Sequence, residues 1–387
     1  MNKVCKGFLV ILCVFFILNI FTTKVYAEAE TPEKALERIY NTRNKAFTNG
    51  NILSIKECFD SSQKFGVWAL EHEVRRIKYL KHWSLERKLE FINVESFIRI
   101  KKVSVSGIKA TLSIEESYKF DYIYPEDEPS IVNSFGVGLR HGVRMILKND
   151  NWVIYNDWYT DCFEDAISEY NGDIPEGTMN EFQFEIGRYV ENRFLMTENS
   201  INKKTYNREK AVQYADKYCG AAWGSGNGFK YNNIYQDFNG IGGDCTNYIS
   251  QVLGDKKEGG GLPLGGGWHC EYRKYGKAEG SRAWVNADGL KGYLIYSGRG
   301  SVIKKGNFKE LSSTNDVNIE PAINKLLLGD LIAYEKKGDI DHFAVITGRD
   351  SRGYALVNSH TADRYHVPWD LGWGDKWIKF HLMHINY

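Results

Sequence analysis

The sequence predicts an α+β protein of two domains, helices on a curved antiparallel sheet followed by a cysteine-bearing helix and further strands. Three observations carry that expectation. Helical periodicity between Thr31 and about Tyr79 gives way, beyond Leu89, to four long runs rich in β-branched and aromatic residues that end near Trp158. A second order of helices and then strands starts at Asn207 and runs to the C-terminal end. The chain has 387 residues, 43% hydrophobic and 26% charged, which is ordinary for a folded protein and enough for two or three domains.

Residues 1–27 have the layout of a secretory signal peptide: Lys3 and Lys6, an apolar run over 7–21, then Val25-Tyr26-Ala27 as a small-residue cleavage site. The apolar run is shorter than the roughly 20 residues a spanning helix needs. A secreted protein, extracellular or associated with the cell wall, with no membrane partner after signal removal, is therefore expected. Loss of Lys3, Lys6 and Lys24 would take the formal charge from +1 to −2. That near-neutral balance excludes nucleic acid as the main partner.

The first domain is expected over 28–165. Thr31-Pro32-Glu33 supplies an N-cap, an N1 proline and a first-turn acid, and Ala35, Leu36, Ile39 and Tyr40 then share one helical face. Shorter and longer helices follow near 54–58 and 66–79. The strand-like runs are 92–105, 109–124, 132–148 and 151–158, with Ser106-Gly107 and Asn149-Asp150 as hairpin turns. Glu71, His72 and Arg75 read as a solvated helix face rather than a pocket. With its closing strand Trp152-Val153-Ile154-Tyr155 and the ending Asp157-Trp158-Tyr159, this portion resembles the cone-shaped fold of the nuclear transport factor 2-like superfamily. Such folds host enzymes, binding pockets and packing modules alike, so the likeness assigns no activity.

A helical connector is expected over 166–204, with apolar positions of a 181–195 helix near one face. The second domain is expected over 205–387. Asn207 caps a helix whose Ala211, Ala215 and Cys219 form a small-residue stripe closed by Gly220. The glycine runs at 224–228, 259–261 and 265–267 follow no strand and lack a Gly-Lys-Ser/Thr ending, so they are rims rather than phosphate loops. A helix bearing Trp284, Ala287 and Leu290, a long insertion to about Ile323, and strands over 329–334, 342–347 and 354–360 complete the domain.

Cys58, Cys162, Cys219, Cys245 and Cys270 remain after signal removal, an odd number in an oxidising route. At least one thiol stays free or pairs between chains. No Cys-x-x-Cys pair occurs and the His residues do not combine into the spacing pattern of a zinc site, so neither a metal nor another cofactor is expected. Cys245 stands out by position. Gly240-Ile-Gly-Gly-Asp-Cys245 ends a loop and opens a helix with Ile249, Val252 and Leu253 on one face, and a thiol there has its anion favoured by backbone N–H groups. Its pKa is expected to fall. His342 opens an apolar strand and is the candidate base, its ring opposite Phe343 and Val345. Asn358 is expected to orient the imidazole from the next strand, in the papain-like order Cys, His, Asn, with His360 as the alternative third member.

Asp244-Cys-Thr-Asn-Tyr-Ile-Ser-Gln251, Trp284-Val-Asn-Ala287, Gly329-Asp330, His342-Phe-Ala-Val-Ile-Thr-Gly348 and Val357-Asn-Ser-His-Thr-Ala-Asp-Arg364 together resemble the bacterial putative amidase domain, a papain-like group. The resemblance covers about 205–385. It implies a papain-like amidase fold and a cysteine amidase or peptidase acting through a Cys245 thioester, with His342 as base. Combined with secretion, it points to a peptide or peptidoglycan-type amide substrate. No upstream side chain is a clear oxyanion-hole donor, which leaves the Cys245 backbone N–H. The alternative is a non-catalytic surface-binding or assembly protein on an amidase-like scaffold; a third is acyl transfer to an amine. Trp268, Trp369, Trp373 and Trp377 fit the border of a substrate groove and aromatic packing over a small sheet equally well, and are not counted in the site.

Overall fold

The computed structural model describes residues 30–170, 206–271, 278–314, 320–374 and 376–387. The expected signal segment and the 181–195 helix lie outside the described residues. No described helix is long and apolar enough to cross a membrane.

The N-terminal part is α+β, as expected. Thr31 caps α1 (Pro32–Asn49), its hydroxyl accepting the Lys34 N–H at 3.4 Å, and Gly50 ends the helix at φ 69°. After the short α2 (Leu53–Lys56) comes α3 (Lys64–Glu86), longer than the spacing predicts. Four antiparallel strands follow: β1 (Glu90–Ser106), β2 (Lys109–Ile123), β3 (Asn133–Lys148) and β4 (Asn151–Trp158). Asn149 and Asp150 both sit at positive φ, the mirror-image turn that matches strand twist. The inner faces of α1, α3 and the strands enclose one core around Leu36, Leu80, Leu112, Phe120, Phe135 and Ile154.

That core also encloses charges. Arg43, Glu116, His141 and Asp157 are all buried; Arg43 ion-pairs with Glu116, and His141 lies between Glu116 (3.2 Å) and Asp157 (2.9 Å). His72, expected on a solvated face, instead reaches inward to Asp161 at 2.9 Å. Burial lowers the His141 imidazole, but Asp157 and Glu116 outweigh it and push it up to about 9. Burial raises the Glu116 carboxyl, yet Arg43 and His141 hold it at about 2. The stability from His141 is thus fully present below its unfolded value of about 6.5 and is lost as pH rises through about 9. Glu116 acts in reverse, its stability lost as pH falls from about 4.3 through about 2. Thermal melts should therefore show stability falling between about pH 6.5 and 9, and His141→Gln should flatten that limb.

After β4, α4 (Glu164–Glu169) adds Ala166 and Ile167 to this first core. The C-terminal part comprises α5 (Arg208–Tyr218), α6 (Cys245–Gly254), β5 (Cys270–Glu271), β6 (Glu279–Gly280), α7 (Arg282–Val285), α8 (Ala287–Tyr296), β7 (Gly300–Gly306), α9 (Phe308–Ser312), β8 (Leu331–Lys336), β9 (Asp339–Arg349), β10 (Ala355–Ser359), β11 (Asp363–Pro368) and β12 (Ile378–Ile385). The single helix expected around Trp284 is two, broken at Asn286, whose side chain accepts the Gly289 N–H at 2.9 Å and caps α8. The insertion expected up to Ile323 contains a strand, β7, on the outer edge of β12.

One sheet runs through both halves in the order β1-β2-β3-β11-β10-β9-β8-β12-β7, with β4 on the far end of β3. The seam is short: Gly136, Val137 and Gly138 pair with Tyr365, Arg364 and Asp363. Glycine is required there. A Cβ on Gly136 would lie 2.0 Å from the Trp223 carbonyl oxygen, and one on Gly138 2.3 Å from the Ala221 carbonyl carbon. That contact brings the 221–237 loop, and with it one wall of the site, against the N-terminal strands. Helices α5, α6 and α8 cover one face of the C-terminal strands around Ile249, Leu253, Phe343 and Val345. Ile332, Tyr334, Ala344, Ile346 and Trp369 form a core on the opposite face.

Candidate active site

Cys245 is the first residue of α6, as its position after Gly240-Ile-Gly-Gly-Asp implies. Gly242 and Gly243 sit at φ 113° and 104°, conformations that let the loop turn sharply into the helix. Asp244, the N-cap, makes no side-chain bond to its own helix backbone. Its carboxylate instead accepts the Phe238 N–H (3.0 Å), the Asn247 amide (2.8 Å) and His360 Nδ1 (2.6 Å). The loop, the helix and the β10–β11 turn are thereby tied at the residue before the thiol.

The thiol is buried. Its sulfur lies 3.7 Å from the Thr246 hydroxyl. Burial pushes its pKa up, and the Thr246 hydroxyl and the Phe343 backbone N–H oppose that only in part. The expected depression by the helix terminus is therefore corrected: loss of hydration outweighs the dipole. All five described cysteines are free and buried. Cys270, with burial as the main cause, is pushed up to about 11.

His342 occupies β9 opposite Tyr334 on β8. Alternation sends its ring to the Tyr334 and Trp373 side, at centroid distances of 5.6 and 5.2 Å, while Phe343 and Val345 pack under α6. Burial, reinforced by Arg364 and His360, pushes the imidazole down to about 3. Its Nε2 is buried with no hydrogen-bond partner among the described residues. Helix α6 packs on β9, but no hydrogen bond joins the thiol to the imidazole, whose ring lies on the Tyr334 and Trp373 side of the strand.

The expectation that Asn358 orients this ring is corrected by register. Leu356 pairs with Gly348, but Val357 pairs with Ile346 and Asn358 with Val345, so β9 bulges at Thr347. Without the bulge Asn358 would face Ile346, on the side of His342. With it, Asn358 lies on the α5 and α6 side. Its carbonyl accepts from the Thr347 hydroxyl (2.8 Å) and the His366 N–H (2.7 Å), and its amide donates to Asp216 (2.8 Å). Both lone pairs are taken, so its role is structural.

His360, the alternative third member, does not bond His342 either. It stacks between Tyr231 and Tyr248 at 3.9 and 3.8 Å, with Nε2 donating to the Tyr218 carbonyl at 2.7 Å and Nδ1 on Asp244. It holds the nucleophile's loop rather than the base. The next residue, Thr361, carries its hydroxyl to the backbone N–H groups of Asp244 (3.0 Å) and Cys245 (3.2 Å). Sequence reading passed over Asp244 as an actor and Thr361 altogether, since neither role has a local pattern.

A cleft of about 240 Å³ opens beside Asp244, lined by Lys101, Glu115 and Arg140 of the N-terminal strands and by Tyr231, Asn232 and Gln236 of the facing loop. Lys101 pairs with Glu115 at 2.8 Å and Arg140 with Asp363 at 3.0 Å, so the wall is polar without a dominant sign. Trp268 and Trp369 are core residues, and Trp373 flanks His342.

Several solved structures are similar to the N-terminal part. One, from Streptomyces avermitilis, is described as a putative dehydratase of the NTF2-like family, at 12% identity over 33% of this chain and 97% of that one, TM-score 0.25. An NTF-2 like protein of unknown function from Shewanella oneidensis MR-1 shares 12% over 34% and 100%, TM-score 0.20. The intermembrane space region of the chloroplast protein ARC6 shares 14% over 34% and 97%, TM-score 0.24. No curated protein matches the chain. Residues 205–383, the part that carries Cys245, His342, Asn358 and His360, match the family model described as a putative amidase domain.

Proposed function

We propose that this protein is a secreted cysteine amidase or peptidase that hydrolyses amide bonds of peptidoglycan peptides through a thioester at Cys245. The observation that supports the reading is the meeting of the α6 N-terminus, which carries Cys245, with β9, which carries His342, whose buried Nε2 has no hydrogen-bond partner among the described residues. An unmade buried hydrogen bond costs about 1–3 kcal/mol, and a catalytic role is one reason a fold keeps one. In this reading His342, held neutral by burial, takes the thiol proton, and substrate binding must raise its basicity from about 3 for that transfer. The sulfur then bonds the amide carbon, and the imidazolium returns the proton to the departing amine. Water, deprotonated by the same ring, releases the acid. The polar cleft beside Asp244 receives the peptide.

Purified protein incubated with peptidoglycan stem peptides should release free amines, and Cys245→Ala should abolish that release. Undiminished release by Cys245→Ala would remove the cysteine mechanism. One observation favours a second reading, a binding scaffold without chemistry: the thiol is pushed up and makes no hydrogen bond to His342. Under that reading wild type and Cys245→Ala bind stem peptides equally and neither cleaves them.

A further inference from the structure

We infer that the Thr361 hydroxyl is the side-chain donor of the oxyanion hole. The inference rests on Cys245 being the nucleophile. Thr361 lies in the turn between β10 and β11, and its Oγ1 accepts the N–H groups of Asp244 and Cys245 at 3.0 and 3.2 Å. The Cys245 N–H is the group a nucleophile's own backbone offers to the developing oxyanion. Here that N–H is already spent on a hydroxyl.

The hydroxyl does not simply block the hole. An oxygen that accepts two N–H bonds is polarised into a stronger donor, and no acceptor among the described residues takes its own proton. The two backbone dipoles thus act through Thr361, whose O–H is the group left to meet the substrate oxygen. The geometry is held from several sides. His360, the preceding residue, is fixed by Asp244, by the Tyr218 carbonyl and between two tyrosine rings. Thr361 itself sits at φ 81°, a conformation a β-branched residue rarely adopts. An added Cβ at Gly243 would approach Oγ1 to 3.2 Å, so any larger residue there would crowd the hydroxyl.

In the step itself the sulfur forms the C–S bond and the carbonyl π pair moves to oxygen, where the Thr361 O–H stabilises it. The pair returns as the C–N bond breaks, and the amine leaves with the proton from the imidazolium. The hydroxyl keeps its own proton throughout.

The experiment compares Thr361→Ser, Thr361→Ala and Thr361→Gly with wild type in three assays: stem-peptide hydrolysis, inhibition by acetyl-alanyl-alaninal, and alkylation by iodoacetamide. The aldehyde forms a hemithioacetal whose oxygen enters the hole; alkylation creates no oxyanion. Expected are a fall in kcat on the order of 100-fold for Ala and Gly with similar loss of aldehyde affinity, near-wild-type values for Ser, and alkylation rates unchanged. Thr361→Gly, relieved of the positive φ, should melt no lower than wild type while remaining slow. Faster hydrolysis by Thr361→Ala would show that the hydroxyl obstructs the amides, and an equal loss in all three assays would reduce it to a structural role; either overturns the inference. Undiminished hydrolysis by Cys245→Ala would instead remove the nucleophile reading beneath it.

Discussion

His342→Ala is expected to lower stem-peptide hydrolysis by roughly 10⁴-fold or more, the scale on which removing a nucleophile's base acts. His360→Ala is expected to retain measurable turnover. The difference follows from what each ring touches. His342 has a buried nitrogen with no hydrogen-bond partner among the described residues, and its neutral state persists far below neutral pH because burial pushes it down to about 3. His360 has both nitrogens committed, one to a carbonyl and one to the Asp244 carboxylate. Its loss removes a charge-assisted hydrogen bond of about 1.5–3 kcal/mol and loosens the loop before Cys245, so the effect belongs mainly to stability. Steady-state rates on folded, mass-balanced protein check this. If His360→Ala were inert and His342→Ala active, the base would be misassigned.

Glu116→Gln is expected to destabilise the protein by about 3–5 kcal/mol, a large part of the 5–15 kcal/mol typical of a folded domain. Arg43 and Glu116 are ion-paired in the core between α1 and β2, and the carboxylate also faces His141 and the Ser96 hydroxyl. Removing its charge leaves a fully buried guanidinium with only the more distant Glu73 carboxylate, at 4.0 Å, as counter-ion. The double variant Arg43→Met, Glu116→Leu should recover most of the loss, because packed apolar side chains avoid the desolvation cost altogether. Urea unfolding with an unchanged m-value gives both numbers, and adding the single variants Arg43→Met and Glu116→Leu closes the cycle that gives the coupling. A single-variant cost near zero would mean the pair is not electrostatically coupled.

How much of this was legible in the sequence depended on whether the governing interaction was local. The caps Thr31 and Asn207, the Asn149-Asp150 turn and Cys245 at a helix start each follow from a few adjacent residues, and the structure places them accordingly. The β7 strand was hidden because Ser301, Val302 and Lys305 are exposed at the sheet edge, leaving no alternation to read. Asn358 shows the deeper limit. Its strand was evident, but its face depended on a one-residue bulge at Thr347, and period-two patterning cannot register a slip of one. The thiol's electrostatics failed for a related reason: a helix terminus is visible in sequence, whereas burial by β9 and the 360–361 turn is not. Thr361 was invisible because its role comes from a contact across 116 positions.

The central claim is a covalent intermediate on Cys245, and the most direct measurement is mass spectrometry of the acid-quenched reaction with a peptidoglycan stem peptide. An acyl adduct is expected on the proteolytic fragment containing Cys245, labile to hydroxylamine and absent from Cys245→Ala. Amine release with no adduct, or an adduct on Cys270 instead, would contradict it.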